Sequence, residues 1–214
     1  MFNPKLPIPD SHADGASAGR RRPKPGQRRK QILQTLAAML QQPGTERVTT
    51  ASLARQLKVS EAALYRHFAS KAQMFEELID FIEQSVFALV QEAGAEYGFT
   101  GIRWAERIVF LVIQFGERNP GMARVMVGDA LVYENERLQE RMNLFFSKLE
   151  TMLYQCLHPA NSDPDAAAIV HAQLVANTFG DLMRGRLQRY VRTGFHRPPT
   201  DGLDATLALI KTSR

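Results

Sequence analysis

Apolar positions recur every three or four residues from about residue 27 to near the end of the chain, the period of a helix rather than of a strand. Ile32, Leu36, Met39 and Leu40 form a first stripe over 27–41, which Pro43-Gly44 closes. Two short helices joined by a tight turn follow within 48–68. Thr49 or Thr50 can cap the first, because a side-chain oxygen there accepts an otherwise orphaned backbone N–H. Leu53, Ala54 and Leu57 then share one face. Val59 fills the turn, Ser60 caps the second helix, and Leu64 and Phe68 pin it down. A long helix over 70–94 has Ser70 as its cap, with Gln73 completing a capping box. Met74, Leu78, Phe81 and Ser85 form one stripe on it, and Phe75, Ile79, Ile82, Val86 and Leu89 a second. So wide an apolar arc must contact both its own domain and something more.

Ile102, Ala105, Ile108, Val109, Val112 and Phe115 face inward on a helix over 101–118, which Asn119-Pro120 ends. A short helix runs on to Gly128. Leu138, Met142, Phe145, Leu149, Met152 and Cys156 alternate at spacings of four and three, a seam for another helix. A polar stretch over 158–164 precedes two final helices, over 165–192 and 201–211. The pattern predicts an all-α protein of about nine helices with no convincing strand. It divides into an arm (1–26), a three-helix head with a helix-turn-helix (27–70) and a helical body (71–214). Stripes at Ile169, Leu174 and Phe179, and at Leu203, Leu207 and Ile210, suit pairing of residues 165–212 with a second copy as a four-helix bundle. A homodimer is expected.

The two short helices have the geometry that sets one helix into the major groove of double-stranded DNA. The outer side of the second carries Ala62, Tyr65 and Arg66, with His67 and Lys71 just beyond. A small residue lets the backbone approach the groove, a tyrosine hydroxyl can bond a phosphate, and an arginine can bond a guanine edge through two N–H groups. Lys71 opens a helix, where a cation opposes the dipole, and a phosphate partner would account for it. Glu61 suits the dipole at its own helix start, or could accept from a cytosine amino group. The alternative to DNA binding is a three-helix packing unit with ordinary surface charges.

Charge changes that balance. Of a net charge of +5, residues 1–30 carry +6 and residues 31–71 carry +3, leaving −4 on the remainder. A basic end and a mildly acidic body suit a DNA-facing head. Five prolines within 1–26 argue against a core there, and Arg20, Arg21, Arg22, Lys24, Arg28, Arg29 and Lys30 read as general electrostatic help along phosphates. A single cysteine, Cys156, on an apolar seam, reads as a buried thiol and fits a reducing cytoplasm. No run of about 18 apolar residues predicts a membrane span, and the N-terminus lacks the apolar core of a signal peptide.

The chain has no Gly-rich phosphate loop, paired-cysteine zinc spacing or nucleophile elbow, so neither an enzyme, a metal nor a cofactor is expected. Trp104, Tyr133 and eight methionines could line a ligand pocket in the body, though at helical spacing such residues are more often core.

The basic first helix, the segment VTTASLARQLKVSEAALYRHFASKAQMF and the helical body together resemble the TetR family of dimeric DNA-binding proteins. The segments VSEAALYRHFASKAQMFEELIDFIEQS, FGERNPGMARVMVGDAL and ERLQERMNLFFSKLE are similar to its nucleoid-occlusion branch. That resemblance implies a dimer at the nucleoid, bound to sites scattered over the chromosome. While bound, it would contact the C-terminal tail of the tubulin-like division protein FtsZ and disrupt its polymers, with no small-molecule inducer. By position, Thr50, Ser60, Ala62, Tyr65, Arg66, His67 and Lys71 would meet DNA. Phe81, Leu111, Arg118 and Asn119 would meet the tail. Leu89 stands where an arginine is expected and Gln114 where a glycine is, changes that remove a charge and add bulk. The competing expectation is a repressor of the same family released by a small molecule.

Overall fold

The computed structural model describes residues 26–42, 47–97, 101–158 and 166–212. The expected arm, apart from Gly26, and the Pro43-Gly44 stop lie outside them. The described residues form nine α-helices and one 3-10 turn, with no strand. Three helices make the head: α1 (Gln27–Leu40), α2 (Thr50–Gln56) and α3 (Glu61–Tyr65). The long α4 (Lys71–Tyr97) leads into α5 (Ile102–Arg118), α6 (Pro120–Met126) and the 3-10 turn (Asp129–Leu131). Helices α7 (Glu136–Leu157), α8 (Ala166–Arg192) and α9 (Leu203–Thr212) complete the body.

Local chemistry sets most boundaries. Thr49, rather than Thr50, caps α2 in a reciprocal box with Ser52. Pro120 takes the first position of α6, where its missing N–H costs nothing. Asn135 caps α7 by accepting from the Arg137 N–H. Ser70 caps α4 through the Gln73 N–H, but the Gln73 side chain reaches one residue further back than expected, to the Ala69 N–H.

One apolar core runs without a break from head to body. Ile32, Leu36, Leu53, Leu64 and Phe68 continue through Met74 and Phe75 into Ile108, Phe145, Phe179 and Leu187. The two stripes of α4 explain this, since the helix closes the head with one end and packs on α5 and α7 with the rest. A second junction joins α1 to α6. There Gly121 passes so close to the Ala37 carbonyl that an added Cβ would lie 2.2 Å from its oxygen. Only glycine allows that approach.

Some expected details differ. On α7 it is Leu153 that is fully buried and Met152 that is partly covered, because the helix drifts from a strict heptad over six turns. Phe179, Leu203 and Leu207 are buried within their own chain rather than presented to a second copy. The exposed apolar side chains on the last two helices are Ile169, Val170, Leu174 and Leu209. Cys156 is buried as expected, and burial pushes its thiol up to about 11. Trp104 is buried, whereas Tyr133 lies exposed on the loop before α7, so the two line no common pocket. A cleft of about 570 Å3 between α5 and α9 has a mixed wall, with Arg103, Glu106, Arg107 and Asp204 beside Phe110, Leu207 and Ala208. No described helix is long and apolar enough to cross a membrane.

Candidate functional site

The head presents a small, outward-facing helix held by its ends. Ser60 caps α3 by accepting from the Ala63 N–H, and Leu64 and Phe68 anchor its inner side. Between α2 and α3 the chain turns through Lys58 at φ 55°, the left-handed region that favours glycine. The Thr50 hydroxyl donates to the Glu61 carboxylate at 2.6 Å, tying the two helices together. Glu61 therefore has a partner within the head, which favours its structural reading. Ala62, Tyr65 and Arg66 all lie exposed on the outer side of α3, with Tyr65 48% accessible. Ser60 is exposed beside them and His67 is partly covered. The structure thus brings Ser60, Ala62, Tyr65 and Arg66 onto one open surface.

Two basic residues are placed differently from the sequence reading. Arg29, read there as part of the basic arm, forms an ion pair with Glu77 and donates to the His67 carbonyl. Its guanidinium also lies 4.3 Å from the centre of the Phe68 ring. It fastens α1 to α4 and to the segment that follows α3. Lys71 does open α4, but its ammonium pairs with Glu134 from the loop before α7, and its side chain is only 16% exposed. A spacing argument could not find either partner, because Glu77 and Glu134 come from other elements.

The second expected site lies between α4 and α5. Phe81 is neither an exposed anchor nor core. It is partly covered and tilted against Phe115, with ring centroids 6.5 Å apart. Arg118 is exposed at the end of α5. Leu111 and Asn119 are 7% and 8% exposed, and the Asn119 amide donates to the Phe115 carbonyl at 2.9 Å. Asn119 thereby finishes α5. Leu89 packs on the core, and Gln114 is partly covered. Phe115 and Phe87, which shape this part of α4 and α5, were not singled out as site residues; Phe87 packs edge-on against Phe145 at 5.8 Å.

This arrangement has known counterparts. Residues 32–78 match the N-terminal domain of bacterial regulatory proteins of the TetR family, and residues 100–213 match the tetracycline-repressor-like C-terminal domain of the SlmA type. The chain belongs to the TetR family. Within it, the chain is 42% identical to the nucleoid occlusion factor SlmA of Colwellia psychrerythraea, over 81% of this chain and 87% of that protein. It is 44% identical to the protein of the same name from Shewanella sediminis, over 83% and 89%. Solved TetR-type structures share the fold. The regulator FadR of Bacillus subtilis, in complex with stearoyl-CoA, superposes with a TM-score of 0.63 at 14% identity, covering 86% of this chain and 98% of that one. The ketosteroid regulator KstR2 of Mycobacterium tuberculosis gives 0.58 at 19% identity, covering 86% and 93%.

Proposed function

We propose that this protein is a nucleoid-occlusion factor. As a homodimer it binds specific double-stranded DNA sites scattered over the chromosome, in the cytoplasm at the nucleoid. When bound, it takes the C-terminal tail of FtsZ along the groove between α4 and α5 and disrupts FtsZ polymers. The observation that carries the reading is that similarity to nucleoid occlusion factors runs through head and body alike, at 42–44% identity over more than four-fifths of the chain. A shared head alone would support DNA binding and nothing more.

The open face of α3 supports the DNA part. Arg66 is the base reader, Tyr65 and Ser60 are backbone contacts, and Ala62 permits close approach. Ile169, Val170, Leu174 and Leu209 support the dimer, since a second copy would cover them. Such a dimer sets two heads on successive major grooves. Phe81 and Arg118 support the tail site, as an aromatic wall and a cation for an acidic, partly apolar peptide. Genome-wide occupancy tests the reading. A nucleoid-occlusion factor occupies many dispersed sites and avoids the replication terminus. Occupancy confined to a few promoters would overturn the proposal in favour of a ligand-released repressor.

A further inference from the structure

The head meets the body at a charged cluster beside the open face of α3, which shares only Lys71 with the residues expected to meet DNA. Glu134 lies in the loop between the 3-10 turn and α7, and its side chain is 8% exposed. It holds the Lys71 ammonium and lies 3.8 Å from the Arg47 Nε. One carboxylate therefore faces two cations, leaving one positive charge in excess. Arg47 belongs to the head, and Lys71 opens α4, the helix whose first turns close it. Arg47 stands two residues before the Thr49 cap of α2, and Lys71 opens α4 directly after the segment that anchors α3. Arg47 remains half-exposed, donates to the Tyr133 carbonyl at 3.4 Å and has its guanidinium 5.9 Å from the centre of the exposed Tyr133 ring. The carboxylate comes from the far side of the junction, in the loop before α7.

We propose that Glu134 is an exchangeable counter-ion, standing in the free protein where a DNA backbone phosphate stands in the complex. This rests on the DNA-binding reading above and adds a site to it. An anion is favoured beside Lys71 because a cation at a helix start opposes the dipole, and either a carboxylate or a phosphate oxygen answers that need. The excess positive charge draws in a second anion. A phosphate carries the charge of Glu134 and brings further acceptor oxygens for Arg47. When Lys71 and Arg47 turn to it, Glu134 is released and the loop over 132–135 loses its ties to the head. That loop leads straight into α7. Helix α7 is laced to α4 by Arg137 with Glu76, by Arg141 with Asp80 at 2.7 Å and Glu83 at 3.2 Å, and by Lys148 with Glu83 at 3.3 Å. The lacing ends on the stretch of α4 that carries Phe81. DNA occupancy thus acts at one end of a strut whose other end borders the tail groove.

The test is binding of the full-length protein to a random-sequence DNA duplex, followed by fluorescence anisotropy, with thermal melting as the check of folding. Glu134→Gln frees both cations, and binding is expected to tighten about three- to tenfold. Glu134→Asp, whose shorter side chain withdraws from Lys71, is expected to fall between the two and keeps the test open should the glutamine variant not fold. The same change made in an Arg47→Ala/Lys71→Ala background is expected to give no tightening. Unchanged or weaker binding by both Glu134 variants overturns the proposal. So does tightening that persists without Arg47 and Lys71, because it would then reflect only the loss of a negative charge near DNA. No saturable binding by the unaltered protein to this duplex would overturn the exchange, and no binding to any sequence drawn from a randomised duplex pool would overturn the DNA-binding reading itself.

Discussion

Ala62 and Tyr65 stand exposed on the five-residue α3, with Arg66 exposed at its C-terminal cap. Between α4 and α5, two of the four side chains assigned to the tail are more than nine-tenths buried, and one of those two finishes its own helix. The head separates support from contact. Ser60, Leu64 and Phe68 fix the helix, while the other side is left for a ligand. Between α4 and α5 the side chains proposed to meet the tail would have to do both. A substitution on α3 therefore reports on binding, whereas one in the groove reports on folding and binding together.

That difference gives the groove the larger stability effects. Leu111→Ala is expected to cost about 2–4 kcal/mol of stability, the range for a buried leucine left with a partly collapsed cavity. An unchanged urea midpoint would show that Leu111 is not built into the core. Phe81→Ala should cost about 2 kcal/mol, less than a fully buried phenylalanine, because part of the ring already faces water. DNA affinity should survive in the folded fraction. A cost above about 4 kcal/mol would make Phe81 core after all, and no cost would make it a free anchor. On the other side of the comparison, Arg66→Ala should leave melting unchanged and weaken the best DNA site by about 1–3 kcal/mol, with one base position blurred. Equal weakening on every sequence would make Arg66 a backbone contact. Thr49→Ala should cost about 1 kcal/mol of stability by removing the α2 cap, measurable as a lower melting temperature. The smallest effect is expected at the turn. Lys58→Gly should stabilise the head by about 0.5–1 kcal/mol, since glycine accepts the left-handed conformation without strain. A lower melting temperature would show that the Lys58 side chain contributes more than its backbone costs.

The two regions also differ in how far the sequence reveals them. The head is written in short-range signals. Thr49, Ser60 and Ser70 cap within three residues of their targets, and Leu64 and Phe68 mark the inner side, so the outer side follows by elimination. Long helices were equally legible from their stripes, because burial on one face imposes the helical period. What stayed hidden depends on residues distant in the chain. The Arg29–Glu77 and Lys71–Glu134 pairs join elements 48 and 63 positions apart, and no periodicity encodes them. Burial of Leu111 and Asn119 follows from packing of α5 against several helices at once. On α8, spacing marked Phe179 as apolar but not which of two partners it faces. It packs inward, and the exposed Val170 and Leu174 lie on another side of the helix. The expected arm lies outside the described residues.

In the proposed function, DNA bound at the head and an FtsZ tail bound between α4 and α5 belong to one action. The decisive experiment sediments FtsZ assembled with GTP together with this protein, with and without its selected DNA site. The duplex-bound protein should lower the pelleted polymer well below the level found without DNA. Arg66→Ala should need correspondingly more DNA for the same effect, in step with its weakened DNA binding. Arg118→Glu should lose it while still binding the duplex and melting normally. Equal polymer in the pellet with and without the DNA-bound protein would contradict the account, as would full activity in a folded Arg118→Glu protein.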